Sequence, residues 1–239
     1  MRTASLFLLP AVLALSAQED LPAQLARAQA LSQDGLRDLQ ARVAASDAPG
    51  EAKAYHDAYL AYALGNHLQG KDPKAASALV ARALKGLEGR KDAEALALMG
   101  ALVTQQLSLD PSQAMVLFPK ATGLYDAALA ASPTHPRALL LKGIYVLHTP
   151  PFAGGGADRA LPLLEGARKA AEAEATPKDP WAPRWGRVEA SAWLAVAQAR
   201  AGQVSEAEAT LAAGRALDPT HGLLRYAAAQ VASVRKPKA

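Results

Sequence analysis

The chain is expected to fold as an all-α protein built from stacked helical hairpins, and three observations carry that expectation. Its 239 residues are 51% hydrophobic but only 5% aromatic. From Leu21 onward Ala and Leu, which favour helix, dominate over the β-branched residues that favour strand. Pro or Gly recurs at intervals of about one helix and marks starts and stops. The segment 188–221 then reads as two short helices folded back on each other: Leu194 and small Ala195 on the first, Gly202 at the turn, Ala207, Leu211, Gly214 and Leu217 on the second, and Pro219 at its end. Small side chains let two helices approach, Leu fills the gap between them, Gly202 can take the positive φ that closes a helix, and Pro219 cannot continue one.

Those residues, in that order, resemble a tetratricopeptide repeat (TPR). Helices are expected over 21–45, 50–68, 73–88, 93–107, 111–131, 136–148, 158–175, 185–201, 205–217 and 222–234. Asp72-Pro73, Asp110-Pro111 and Asp179-Pro180 each place a capping carboxylate before a proline suited to a first helical turn. Tyr55, Tyr59 and Tyr62 form a stripe at helical spacing in the second helix, read as core packing. Ala76, Val80, Ala83 and Leu84 match the close of a repeat, as do Ala128, Leu129 and Pro133. Met99-Gly100 resembles a close crossing point on a first helix. Leu139 with Gly143, followed after an insertion by Ala160, Leu164 and Ala167, matches a further repeat. The resemblance implies a TPR-like α-solenoid of about five hairpins, each burying an apolar face on its neighbour, with a concave and a convex side.

The N-terminus is read separately. Arg2, an apolar run from Leu6 to Leu15 and the small residues around Ser16 make the three parts of a secretory signal, too short to span a bilayer as a helix. Residues 1–17 are therefore expected to be a signal peptide cleaved after Ser16 or Ala17, 18–234 a single helical-repeat domain and 235–239 a basic tail. An exported, periplasmic protein with no transmembrane segment in its mature chain follows. Cysteine is absent, which excludes disulfides, thiol nucleophiles and thiolate metal sites. With 26 basic and 22 acidic residues, scattered along the chain, nothing marks a nucleic-acid surface.

Motifs with chemistry are few. Residues 65–71, GNHLQGK, have phosphate-loop spacing, but Tyr55 to Leu64 carries helical rather than strand periodicity and Asp72 follows the lysine where a hydroxyl is needed. The five histidines are dispersed; His56 and His67 share a helix face but stand roughly 16 Å apart along its axis. No catalytic residue, cofactor or metal is expected. The most unusual segment is Thr149-Pro150-Pro151-Phe152-Ala153-Gly154-Gly155-Gly156, inserted where a repeat has a tight turn. It is similar to an insertion in exported TPR-like bacterial proteins, including those resembling the T component of TRAP-type transport systems. Phe152 is read as a plug between hairpins, with a partner contact as its alternative role. Trp193 is read as core. Trp181 and Trp185, among Pro180, Pro183, Arg184 and Arg187, are weighed as contact residues.

The leading functional expectation is a non-enzymatic scaffold that binds a protein or peptide on its concave surface. The TPR resemblance implies that the first helices would present Arg137, Leu140, Ile144, His148, Glu189, Val196 and Arg200 there, with Phe152 and Trp185 as further contacts. The alternative is a small-ligand-binding accessory of a periplasmic solute transport system, which a lined internal cavity would favour, as a shallow open groove would favour the scaffold.

Overall fold

A computed structural model describes residues 20–235, so the expected signal peptide and the last four residues of the tail lie outside the described residues. Among the described residues the fold is all helical, with no strand. The helices are α1 (Leu21–Ala26), α2 (Gln33–Ala45), α3 (Gly50–Leu68), α4 (Pro73–Gly86), α5 (Ala93–Leu109), α6 (Ala114–Ala131), α7 (Pro136–His148), α8 (Ala157–Ala173), α9 (Arg187–Arg200), α10 (Val204–Leu217) and α11 (Gly222–Arg235).

Local chemistry sets most of these boundaries. Asp72, Asp92 and His135 each accept a backbone N–H from three residues on (Ala75, Ala95 and Ala138), which satisfies orphan donors at the starts of α4, α5 and α7. Two expected starts are corrected. Asp110 accepts from Ser112 N at the head of a short 3-10 turn, Pro111–Gln113, that precedes α6. Asp179-Pro180 starts no helix: Asp179 accepts from Trp181 N inside a connecting segment, and α9 begins only at Arg187. The single helix expected over 21–45 is likewise interrupted by a 3-10 turn, Ala28–Ala30, after which Ser32 Oγ caps α2 by accepting from Gly35 N at 3.2 Å.

α3 pairs with α4, α5 with α6, α7 with α8 and α9 with α10, and α11 packs on α9 and α10. Fully buried Leu36, Leu39, Leu60, Leu98, Leu102, Leu164 and Leu194 run through one continuous core. The close crossings fall where small residues were expected. A Cβ on Gly143 would lie 2.7 Å from Leu164 Cγ, Ala207 is fully buried, and Gly202 turns the last hairpin at φ +83°. The first described segment meets the last hairpin: Arg27 Nε donates to Asp218 Oδ2 at 3.0 Å and its NH2 to Thr220 Oγ1 at 3.0 Å. An open-ended array would keep those two regions apart.

The insertion between α7 and α8 overturns the expected plug. Phe152 is 94% exposed on a 3-10 turn, Pro151–Ala153. The inward-facing parts are Thr149, whose Oγ1 donates to Tyr145 O at 2.8 Å, and the glycine backbone, with Gly156 N donating to Val146 O at 2.9 Å. A Cβ on Gly155 would stand 2.0 Å from Thr149 O, so the chain returns too tightly against α7 to leave room for a ring. Gly155→Ala is accordingly expected to destabilise the fold by about 1–3 kcal/mol or more, whereas Phe152→Ala should change stability by no more than about 0.5 kcal/mol. Thermal melts of the two variants check the pair.

Candidate functional site

The inner side of the array, where the first helices α3, α5, α7 and α9 face one another, is divided in two. At the N-terminal ends of these helices it is filled by the chain itself. The segment between α8 and α9 folds inward, and Trp185 stacks on Tyr59 with ring centroids 4.5 Å apart and planes 13° from parallel. Trp185 Nε1 donates to Tyr55 Oη at 3.0 Å, and the Trp181 carbonyl accepts from His56 Nε2 at 2.9 Å.

Arg137 ties this filling to three elements. Its Nε donates to Glu94 Oε2 at 2.6 Å, its NH1 to Glu174 Oε2 at 2.9 Å and to the Trp185 carbonyl at 3.2 Å, and its NH2 to Glu174 Oε1 at 2.7 Å. Glu94 also accepts from Tyr55 Oη and lies 3.2 Å from His135 Nε2. The hydrogen bonds therefore close a ring running from the Trp185 indole through Tyr55, Glu94 and Arg137 back to the Trp185 carbonyl. Burial alone would raise the Glu94 carboxyl, but the Arg137 charge and the His135 and Tyr55 hydrogen bonds outweigh it and hold the group below its ordinary value. Burial likewise opposes the Arg137 charge, and Glu94 with Glu174 overcomes it.

Four residues expected on an open concave surface, and Trp185, expected as a further contact, are thus corrected to the interior. Arg137, Leu140, Trp185, Glu189 and Val196 are all buried, none more than 4% exposed. The inward turn of the α8–α9 segment covers Arg137 and Leu140, since a Cβ on Gly186 would lie 3.3 Å from Arg137 Cγ and 3.7 Å from Leu140 Cδ2, and it carries Trp185 inward. Glu189 is engaged in its own helix, accepting from Gly186 N at 2.9 Å. Phe152 is exposed in the insertion and is not among the residues around the cavity described next.

Toward the C-terminal ends of the first helices the inner side stays open as a cavity of about 930 Å³. α3 contributes Tyr62, Asn66 and His67; α5 contributes Thr104 and Gln105; α7 contributes Leu141, Ile144, Tyr145 and His148; Tyr125 of α6 and Trp193 of α9 complete the walls. α11 closes one side with Leu223, Arg225 and Tyr226, and the turn near Gln29 closes another. Among the described lining residues there is no carboxylate, and Arg225 is the one permanent charge. Of the expected site residues, Ile144 and His148 line this cavity, and Arg200 is exposed with its charge acting on His148. Trp193, expected in the core, is half-buried in the wall. Its ring lies 5.3 Å from His148, edge to face, and 5.8 Å from Tyr226.

Hydrogen bonds fix the tyrosines. Tyr125 Oη lies 3.3 Å from Thr104 Oγ1 and Tyr145 Oη 2.8 Å from Thr122 Oγ1. Burial, the largest influence on each, raises the phenols of Tyr62, Tyr125 and Tyr145, so all three stay protonated. His148 is lowered, first by burial and then by Arg200, against the raising effect of the Ile144 carbonyl, which favours the neutral imidazole. Among the described residues no group of three or more His, Cys, Asp or Glu comes together to hold a metal ion by itself. No helix there is long and apolar enough to cross a membrane.

The described chain is thus an all-helical hairpin array with an aromatic-walled cavity on its inner side. A solved structure with this architecture is the HusA haemophore from Porphyromonas gingivalis, with a TM-score of 0.60 and 25% sequence identity over 75% of this chain and 91% of that one. No family model and no curated protein matches the chain.

Two measurements probe the filled end. Arg137→Met leaves Glu94 buried without its counter-charge and is expected to cost about 3–5 kcal/mol in chemical denaturation. Arg137→Lys should recover only part of this, because an ammonium cannot reproduce the guanidinium fork. His56 supplies the pH dependence: unfolded, it takes its proton near 6.5, while in the fold burial lowers it, with the Trp181 carbonyl, Glu94 and Asp179 acting the other way. The unfolded state then binds more protons below that pH, so stability present above it is lost on acidification. The melting temperature is expected to fall between about pH 7.5 and about pH 5.5, and to fall less in His56→Gln, with His148 keeping part of the effect.

Proposed function

We propose that this protein is a non-enzymatic carrier that takes a planar, largely apolar ligand of the haem or porphyrin class into the cavity between its first helices, outside the cytoplasm. The observation that carries this reading is the cavity lining. Tyr62, Tyr125, Tyr145, Trp193 and Tyr226 surround a volume of about 930 Å³, near the upper end of the usual range for small-molecule sites of about 300–1,000 Å³. Flat aromatic ligands stack on such walls. An acidic ligand with an apolar body also suits a lining that holds Arg225 and no carboxylate, because no like charge opposes entry and one cation is available at α11. The structural similarity to a haemophore supports the same ligand class.

A lined cavity of about 930 Å³ at one end of the inner side, with the opposite end filled by Trp185, supports the small-ligand reading over a peptide scaffold. A peptide laid along the first helices would need the surface that Arg137, Trp185 and Glu189 have given up. In the periplasm such a carrier would act as an accessory to a solute transport system, the role suggested by the resemblance of its insertion.

Titration of the mature chain with ferric haem and with iron-free protoporphyrin IX, followed by absorbance and tryptophan quenching, tests the proposal. Both are expected to bind with one-to-one stoichiometry, and Trp193→Ala is expected to weaken both by about tenfold while keeping its helical circular dichroism. Failure of the wild-type chain to bind either porphyrin overturns it.

A further inference from the structure

An iron porphyrin differs from an iron-free one in a way a protein can read directly, because the metal takes an axial donor. Which residue supplies it follows from the cavity lining, on the reading that the cavity holds a porphyrin. The chain has no cysteine, and among the described residues neither Met99 nor Met115 lines the cavity. A phenol binds iron well only after losing its proton, and Tyr62, Tyr125 and Tyr145 are buried in positions that keep theirs. The remaining donors in the lining are His67, His148 and Tyr226.

His148 is set apart from the other two by being oriented. Its Nδ1 lies 2.9 Å from the carbonyl of Ile144, one turn earlier in α7. A carbonyl accepts and cannot donate, so Nδ1 carries the proton and Nε2 keeps its lone pair. Metal-bound histidines are commonly held in this way, with the second ring nitrogen donating to a backbone carbonyl that fixes both tautomer and ring orientation. The Trp193 ring stands at 82° to the imidazole, 5.3 Å away, and restricts the ring from the side. Ile144 and Tyr145, on the same turn of α7, also line the cavity. The geometry points to His148, through Nε2, as the axial ligand that holds the iron of an iron porphyrin in this cavity.

The test separates coordination from mere packing by comparing two ligands that differ only in the metal. In wild type, ferric haem is expected to give a Soret band and visible spectrum characteristic of imidazole ligation. In His148→Ala that spectrum should revert toward free haem and haem affinity should fall by about tenfold or more, while iron-free protoporphyrin IX binds within about twofold of wild type. Added imidazole should restore the wild-type spectrum to His148→Ala, and His67→Ala and Tyr226→Phe should leave it unchanged. An unaltered haem spectrum in His148→Ala, an equal loss of both porphyrins, or loss of the ligated spectrum in His67→Ala would each overturn the assignment while leaving the carrier reading standing. Absence of wild-type binding to either porphyrin is the distinct outcome that removes that reading and the assignment with it.

Discussion

The buried charge of Arg137 is the constraint around which the inner side of this protein is organised. A guanidinium removed from water is unfavourable unless its donors are satisfied, and here one side chain donates to Glu94 on α5, to Glu174 just past α8 and to the Trp185 carbonyl just before α9. A buried ion pair of this sort contributes little net stability compared with an apolar replacement. What it contributes is arrangement: the Trp185 segment satisfies Arg137 only when folded inward, and the indole then lands on Tyr59. The carboxylates on both sides answer the charge, so no single partner can be removed without stranding another.

That inward fold decides which part of the inner side stays open. With the N-terminal ends of the first helices occupied, apolar and aromatic side chains nearer their C-terminal ends are left facing one another across a space that nothing in the described chain fills. α11 and the turn at Ala28–Ala30 then bound two of its sides, held in register by Arg27 on Asp218 and Thr220. One end of the inner side is thus packed and charged, and the other is open, aromatic and free of carboxylates. The two kinds of wall differ, since Tyr125 and Tyr145 are buried and lie within hydrogen-bond distance of Thr104 and Thr122, while Tyr226, on α11, is 41% exposed.

Much of the fold was legible in the sequence because it depends on local chemistry. Asp72 caps a helix through its own next turn, Gly202 and Pro219 punctuate the last hairpin, and Gly143 and Ala207 mark crossings where any larger side chain would force helices apart. The same local reasoning failed at Asp179-Pro180, which carries a helix-start signal but is recruited into the inward segment, and at Phe152, where aromatic character suggested burial and the backbone of Gly155 had already taken the space. The site was legible in fragments. Ile144 and His148, placed on the inner face by the TPR resemblance, do line the cavity, whereas Arg137, Leu140, Glu189 and Val196, placed there by the same resemblance, and Trp185, weighed as a further contact, are covered. Tyr125 and Tyr145 carried no distinguishing signal, because a tyrosine packed in a core and one in a cavity wall have the same spacing along a helix.

By itself, then, the sequence determined an all-helical chain, where its hairpins turn and which small residues let them meet, since each of these is settled within one or two turns of helix. The tertiary structure alone decided which half of the inner face is filled and which is hollow. That choice rests on contacts between residues far apart in the chain, such as Tyr59 with Trp185 and Arg27 with Asp218, and no periodicity within a single helix encodes the distance at which another segment will arrive.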